Sequence, residues 1–136
     1  MKMWAFRATS LGALLLLPGC LFVEDDDKRV RAPIGTLTVQ WSIDGTHNPL
    51  DCVDLNVDRL EISIYSLDGR LVDEVEPYCE SFAVSVDLLD GIYTADVTLV
   101  DSFDDAATFT ETLESIDIIA GTDLAIDVDF PIDSFL

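Results

Sequence analysis

Two groups of closely spaced aspartates are the side chains in this sequence with the clearest capacity for chemistry. The groups are Asp51, Asp54 and Asp58, and Asp101, Asp104 and Asp105. Calcium is a hard cation that takes several oxygen ligands, and carboxylates are its usual protein ligands. Neither group follows the EF-hand pattern, with its central glycine and terminal glutamate. We take Asp101, Asp104 and Asp105 as candidate calcium ligands and predict no other cofactor.

Side chains suited to catalysis are scarce by comparison. His47 is the sole histidine, and it falls in the polar stretch Gly45–Pro49, which is typical of a solvated loop. The sequence contains no Gly-x-Ser-x-Gly elbow, no HExxH pair and no glycine-rich phosphate loop. Carboxylate pairs are so frequent that they do not single out a glycosidase site. We therefore predict that the protein is not an enzyme.

The first 19 residues have the features of a secretory signal. Lys2 and Arg7 supply positive charge, and no acidic residue precedes Glu24. The apolar run Leu11–Leu17 is too short to cross the hydrocarbon core of a membrane, which needs roughly 20 apolar residues in a helix. Residues 1–19 are therefore predicted to be a cleaved signal peptide.

Leu17-Pro18-Gly19-Cys20 closes this run and resembles the lipobox of bacterial lipoproteins, with Pro18 as a departure from the commoner Ala, Ser or Thr. The resemblance implies that Cys20 receives a diacylglycerol and that the new amine is acylated, for instance with palmitate. Two or three acyl chains, at about 0.8 kcal/mol per buried CH₂, anchor a protein firmly. Leu21 stands where an aspartate would retain an enterobacterial lipoprotein in the inner membrane. The implied location is the cell envelope of a bacterium, at the outer membrane.

The charge of the chain excludes several classes of partner. It has 27 acidic and seven basic residues and a net charge of −20. The predicted signal peptide removes two basic residues and no acidic ones, which leaves −22 for the mature chain. Nucleic-acid binding needs Lys and Arg, and so does docking on anionic headgroups. Residues 20–35 combine an acidic run with three basic residues, and we predict a charged tether there.

Cys52 and Cys79 remain once Cys20 is assigned to lipid. In an exported, oxidising setting two remaining cysteines are expected to pair. The closed loop holds about 27 residues, for which the chain-entropy estimate is ~3–4 kcal/mol. Two buried thiols are the alternative, whereas a metal site is disfavoured by the single histidine and the lack of a Cys-x-x-Cys motif.

Strict alternation of apolar and polar residues begins at Thr36 and predicts a β-strand, with Leu37, Val39, Trp41 and Ile43 on one face. Similar segments follow at Val57–Ser66, Arg70–Val75, Phe82–Leu88, Ile92–Val100, Ala107–Ser115 and Leu124–Phe130. Asp-Gly turns separate several of them. No segment of helical length shows a 3.6-residue period after the leader.

About seven short strands over residues 36–136 indicate an all-β domain, a single antiparallel β-sandwich. A small closed β-barrel is the alternative. The stretch Leu89-Asp90-Gly91-Ile92-Tyr93-Thr94 resembles the Gly-x-Tyr turn and strand of immunoglobulin-like and prealbumin-like modules in exported bacterial proteins. The resemblance implies a sandwich of one of these two kinds.

These features together predict a membrane-anchored, non-catalytic lipoprotein that has a protein-binding or structural role in the envelope. Its predicted partners are the membrane, through the N-terminal lipid, and an unknown envelope protein. The predicted contact surfaces are the loops near the disulfide and the edge strand at Thr108–Thr112, because a sheet edge presents unpaired backbone groups. One alternative is a calcium-dependent adhesive or binding module. Another is a carrier of a lipid or small ligand, which needs an enclosed barrel of at least about eight strands.

Overall fold

The computed structural model describes residues 32–136, which form seven β-strands, one α-helix and two short 3₁₀ helices. In chain order they are β1 Ile34–Ile43, α1 Pro49–Asp54, β2 Arg59–Ser66, β3 Leu71–Val75, a 3₁₀ helix Cys79–Ser81, β4 Ala83–Leu89, β5 Gly91–Val100, β6 Glu111–Ile118, β7 Asp123–Phe130 and a second 3₁₀ helix Ile132–Ser134. The predicted signal peptide, the lipobox with Cys20, and the tether before Ala32 lie outside the described residues.

The strands form two sheets that enclose a common core, which confirms the predicted β-sandwich. One sheet has the order β4-β1-β7 and the other the order β3-β2-β5-β6. Neighbouring strands are antiparallel except β1 and β7, which run parallel. The prediction of purely antiparallel pairing is wrong for this pair, because the turn after β6 brings the start of β7 beside the start of β1. Both sheets are open within residues 32–136, so the alternative of a small closed barrel is wrong. Immunoglobulin constant domains pack strands A, B, E and D against C, F and G. The strand order found here differs from that arrangement.

The core consists of the side chains that the alternating pattern placed on one face of each strand. Leu37, Val39, Trp41 and Ile43 of β1 are at most 1% exposed, and the inward residues of β2 and β5 are buried in the same way. A strand turns every second side chain to the same face, so one sheet face is apolar along its length. Burial of such side chains is worth about 1.5–3 kcal/mol each and is the main source of stability.

The N-terminal end of β1 passes very close to the end of β6. A Cβ atom at Gly35 would lie 2.5 Å from the carbonyl oxygen of Ile119 and 2.8 Å from Cγ2 of Ile118. Glycine is therefore required at this position by space. The strand also begins at Ile34, two residues before the domain start predicted from the alternation.

Tyr93 ties the turn between β4 and β5 to the core. Its ring is 6% exposed, and its hydroxyl donates to the carbonyl oxygen of Leu89 across 2.6 Å. A tyrosine near the start of a strand, bonded to backbone a few residues upstream, is the arrangement of the tyrosine corner in sandwich domains. The Gly-x-Tyr resemblance in the sequence thus corresponds to a physical tie in the fold.

Helix α1 was not predicted from the sequence. The Asn48 side chain accepts the N–H of Leu50 at 3.1 Å, and Pro49 occupies the first helical position. Both features are standard signals for a helix start. Six residues are too few to show a 3.6-residue period, so the capping pair was the only sign in the sequence.

The predicted strand at Ala107–Ser115 is displaced in the structure, where β6 begins at Glu111. Thr108 is 1% exposed, and its hydroxyl accepts the N–H of Leu99 at 3.2 Å. The prediction of an exposed contact edge at Thr108 is therefore wrong, because this residue holds its loop against β5. β6 itself is an edge strand of its sheet.

None of the elements found between residues 32 and 136 is a helix with the length and hydropathy needed to cross a bilayer.

Candidate functional site

The directions of the strands bring four chain segments together at one end of the sandwich. They are residues 44–58, 76–82, 101–110 and 131–136. We call this the disulfide end, since Cys52 and Cys79 are bonded there with 6.1 Å between their Cα atoms. Strand β1 starts at the opposite end of the sandwich, beside the turns that follow β2, β4 and β6.

The disulfide confirms the predicted pairing, so the alternative of two free buried thiols is wrong. Both cysteines are at most 1% exposed. Cys52 lies in α1, and Cys79 begins the first 3₁₀ helix. The N–H of Val57 donates to the carbonyl of Cys52 at 2.8 Å, and the N–H of Cys79 donates to the carbonyl of Asp58 at 3.0 Å. The first two loops are therefore fixed to each other by covalent and hydrogen bonds.

Arg59 joins three of the four loops. Its side chain is 16% exposed, and its Nε lies 2.7 Å from Oε1 of Glu76. One terminal nitrogen lies 3.0 Å from Oδ2 of Asp58, and the other pairs with the carboxylate of Asp104. Hydrogen bonds to Glu76 and then to Asp58 raise the pKa of Arg59 above its ordinary value. The charged guanidinium braces these three loops against one another.

The structure gives separate roles to the three predicted calcium ligands. Oδ1 of Asp101 accepts the N–H groups of Phe103 at 2.9 Å and Asp105 at 3.0 Å, while Asp104 pairs with Arg59. Within residues 32–136, no three or more His, Cys, Asp or Glu side chains are grouped so that they could hold a metal ion. Asp101, Asp104 and Asp105 stay candidate ligands from the sequence, and Asp101 and Asp104 would have to give up these contacts to bind calcium.

The aspartates around Cys52 are also divided among different contacts. Oδ2 of Asp51 accepts the hydroxyl of Thr46 at 2.8 Å, and Asp58 pairs with Arg59. Asp54, at the end of α1, is exposed to solvent. The three carboxylates therefore do not act as one group here.

His47 lies in an exposed loop, as the sequence indicated, with its ring centroid 5.4 Å from that of Phe82. Phe82 has a backbone φ of 56°, which is unusual for an aromatic residue. Its ring also packs 6.3 Å from that of Trp41. Phe82 is held in the left-handed region by packing on both sides.

Left-handed backbone at residues other than glycine is concentrated at the disulfide end. Within residues 32–136, five non-glycine residues have positive φ, and four of them lie in the loops of this end: Asp44, Asn56, Phe82 and Asp104. Asp and Asn tolerate this conformation better than other residues do. Backbone held in rare conformations tends to cluster at functional sites in proteins. This end is thus the best candidate for a functional surface.

Large apolar side chains are exposed around the disulfide. Val53 is 71% exposed, Tyr78 65% and Phe103 78%. Val53 and Ser102 line one cleft of 160 Å³, which places the Phe103 loop beside α1. Val53 and Tyr78 are the sequence neighbours of the two bonded cysteines. We use the name disulfide-end patch for a surface of five residues: Val53, Asp54, Tyr78, Glu80 and Phe103.

The surroundings of this patch are strongly acidic. Four of the 27 acidic and five of the seven basic residues precede residue 32, which leaves 23 acidic side chains against Arg59 and Arg70. Ten of those acidic residues lie in the disulfide-end loops: Asp44, Asp51, Asp54, Asp58, Glu76, Glu80, Asp101, Asp104, Asp105 and Asp133. Arg59 pairs with three of the ten. The end therefore keeps a large negative charge.

No protein-family model matches the chain, and no curated protein matches it significantly. Among solved structures, one described as "The Bacillus anthracis TIE protein" aligns with 72% of this chain at 20% sequence identity and a TM-score of 0.47. The chain spans 17% of the length of that protein.

Proposed function

We propose that the protein is a lipid-anchored, non-catalytic module of the bacterial cell envelope, which binds another protein through its disulfide end. The observation that carries the proposal is the exposure of Val53, Tyr78 and Phe103 on loops braced by the disulfide and by Arg59. The lipid anchor rests on the resemblance of Leu17–Cys20 to a lipobox.

The physical support for protein binding is the combination of exposed rings with a rigid backbone. Tyr and Phe are enriched in the cores of protein interfaces, where a few buried aromatic anchors supply most of the binding energy. Ordering loops on binding costs free energy, and loops that are already fixed avoid much of that cost. The disulfide and the ion pairs of Arg59 fix three of the loops that carry these side chains.

A photoreactive phenylalanine analogue introduced into the full-length, membrane-located protein tests the proposal. The analogue replaces Phe103 in one variant and Leu67 in the other. The two positions are 78% and 73% exposed, at opposite ends of the domain, so they are matched in accessibility. Irradiation is expected to attach an envelope protein at position 103 and not at position 67. Equal yields at both positions, or no adduct at position 103, would contradict binding through the disulfide end.

A further inference from the structure

We infer that the partner presents arginine or lysine side chains to the disulfide-end patch, so that the ligand of this surface is a cationic protein. The inference rests on the proposed function and names the chemistry of the partner for the same surface. Two independent features carry it: the excess of acidic over basic side chains at this end within residues 32–136, and the exposed rings of Tyr78 and Phe103 among those charges.

The carboxylates of the patch differ from the neighbouring carboxylates that form ion pairs with Arg59. Asp58, Glu76 and Asp104 already face Arg59 within the domain. Asp54 and Glu80 belong to the patch and are exposed to solvent. Among residues 32–136, neither of these two carboxylates forms an ion pair that would have to break before a partner binds. Complementary charge speeds encounter and suppresses wrong partners more than it adds affinity.

The aromatic rings of the patch restrict the chemistry of the partner more than the net charge of the domain does. Tyr78 and Phe103 each show more than half of their surface to solvent. A cation over the face of an aromatic ring is attracted by the electrons of the ring, and arginine makes such contacts more often than lysine. Arginine and lysine also carry an aliphatic stem that packs on apolar surface, such as the exposed Val53. Long cationic side chains therefore suit a patch made of apolar and acidic residues.

The three tyrosines of the chain provide a direct test with internal controls. Fluorotyrosine is incorporated into the full-length protein in a zwitterionic nanodisc, and a triarginine peptide is added while ¹⁹F spectra are recorded. Tyr78 belongs to the patch, Tyr65 lies half-buried at the other end of the acidic domain, and Tyr93 is 6% exposed. We expect a saturable shift of the Tyr78 resonance with little change at Tyr65 and Tyr93. Triglutamate should move none of the three resonances.

A double variant, Asp54→Asn with Glu80→Gln, removes the two carboxylates of the patch without changing its shape. Each exposed ion pair is worth roughly 0.2–1 kcal/mol, so loss of both should weaken triarginine binding about two- to thirtyfold. Equal shifts of Tyr65 and Tyr78, or unchanged affinity in the variant, would overturn the inference and indicate attraction by net charge alone. An adduct at position 103 without a Tyr78 shift would leave the proposed function in place and remove only the cationic partner.

Discussion

The indole N–H of Trp41 donates to the main-chain carbonyl of Cys79 across 3.0 Å, in the buried interior. Trp41 lies in β1 of one sheet, and Cys79 carries the disulfide to α1. One hydrogen bond thus links the sandwich core to the backbone under the disulfide-end patch. The carbonyl has a second, longer bond from the N–H of Phe82 at 3.3 Å.

The substitution Trp41→Phe is expected to destabilise the domain by about 1–3 kcal/mol, because it removes this donor and leaves space in the core. The free energy of unfolding is measured by denaturant titration followed by far-UV circular dichroism. Tyr93→Phe is the control, since it removes one hydrogen bond at the opposite end without a large loss of volume. A smaller effect for Trp41→Phe than for Tyr93→Phe would contradict the assigned role.

Removal of the Cys52–Cys79 bond should cost about 3–4 kcal/mol, because the unfolded chain gains the freedom of a loop of about 27 residues. The double variant Cys52→Ala with Cys79→Ala is compared with the parent protein by denaturant titration. The parent under reducing conditions provides the control and should approach the stability of the double variant. If the variant unfolds at the same denaturant concentration as the oxidised parent, the disulfide does not stabilise the fold.

Strand positions were predictable because every second side chain of a half-buried strand faces the core and is apolar. Leu37, Val39, Trp41 and Ile43 all lie in the core, as the alternation indicated. The pattern failed at Thr108, a polar residue whose burial depends on a hydrogen bond to Leu99 on a neighbouring strand. Local periodicity contains no information about such a contact.

The candidate site was predictable only in part. Elimination among three cysteines led to the Cys52–Cys79 pair, because the chemistry of an exported thiol is restrictive. The cluster around Arg59 was not foreseen, since its carboxylates come from positions 58, 76 and 104. A chain with 27 acidic residues offers an arginine many partners, and the tertiary fold selects among them.

Stability at low pH should depend in part on Asp68 in the turn between β2 and β3. The Ser66 hydroxyl and the N–H of Arg70 donate to its carboxylate and hold its pKa below the ordinary value of 3.8. A carboxyl group whose pKa is lower in the folded than in the unfolded state stabilises the fold at pH values above the unfolded-state pKa. That stabilisation disappears as the pH falls through the folded-state pKa. Asp68→Asn should therefore be less stable than the parent at neutral pH, with a difference that shrinks below pH 3.8.

Denaturant titrations between neutral and strongly acidic pH measure this difference. Glu111→Gln is the control, because it removes one negative charge at an exposed position of β6. A gap between parent and Asp68→Asn that stays constant down to the lowest pH would contradict the role of the carboxylate.

The proposed lipid anchor depends on one sulfur atom, that of Cys20. Cys20→Ser should yield an uncleaved precursor without lipid, because the resemblance to a lipobox implies acylation of the thiol before cleavage after Gly19. Intact mass and membrane fractionation measure both effects. Cys52→Ala with Cys79→Ala is the control and should still be processed and lipidated. Normal processing and fractionation of the Cys20→Ser variant would show that the lipobox interpretation is wrong.

Calcium should stabilise the mature protein no more than magnesium does at matched ionic strength. Two of the three candidate ligands already make contacts within the domain: Asp101 accepts backbone N–H groups, and Asp104 pairs with Arg59. Both cations are therefore expected to act only by screening the net charge of −22. A specific site at 100 times its Kd would add ~2.7 kcal/mol, a rise of several degrees in Tm for a domain of this size. Thermal melts in chelator, magnesium and calcium distinguish the two cases. A calcium-selective rise that Asp101→Asn abolishes would establish the calcium-dependent alternative, because Asp101 would then have to exchange its backbone donors for the cation.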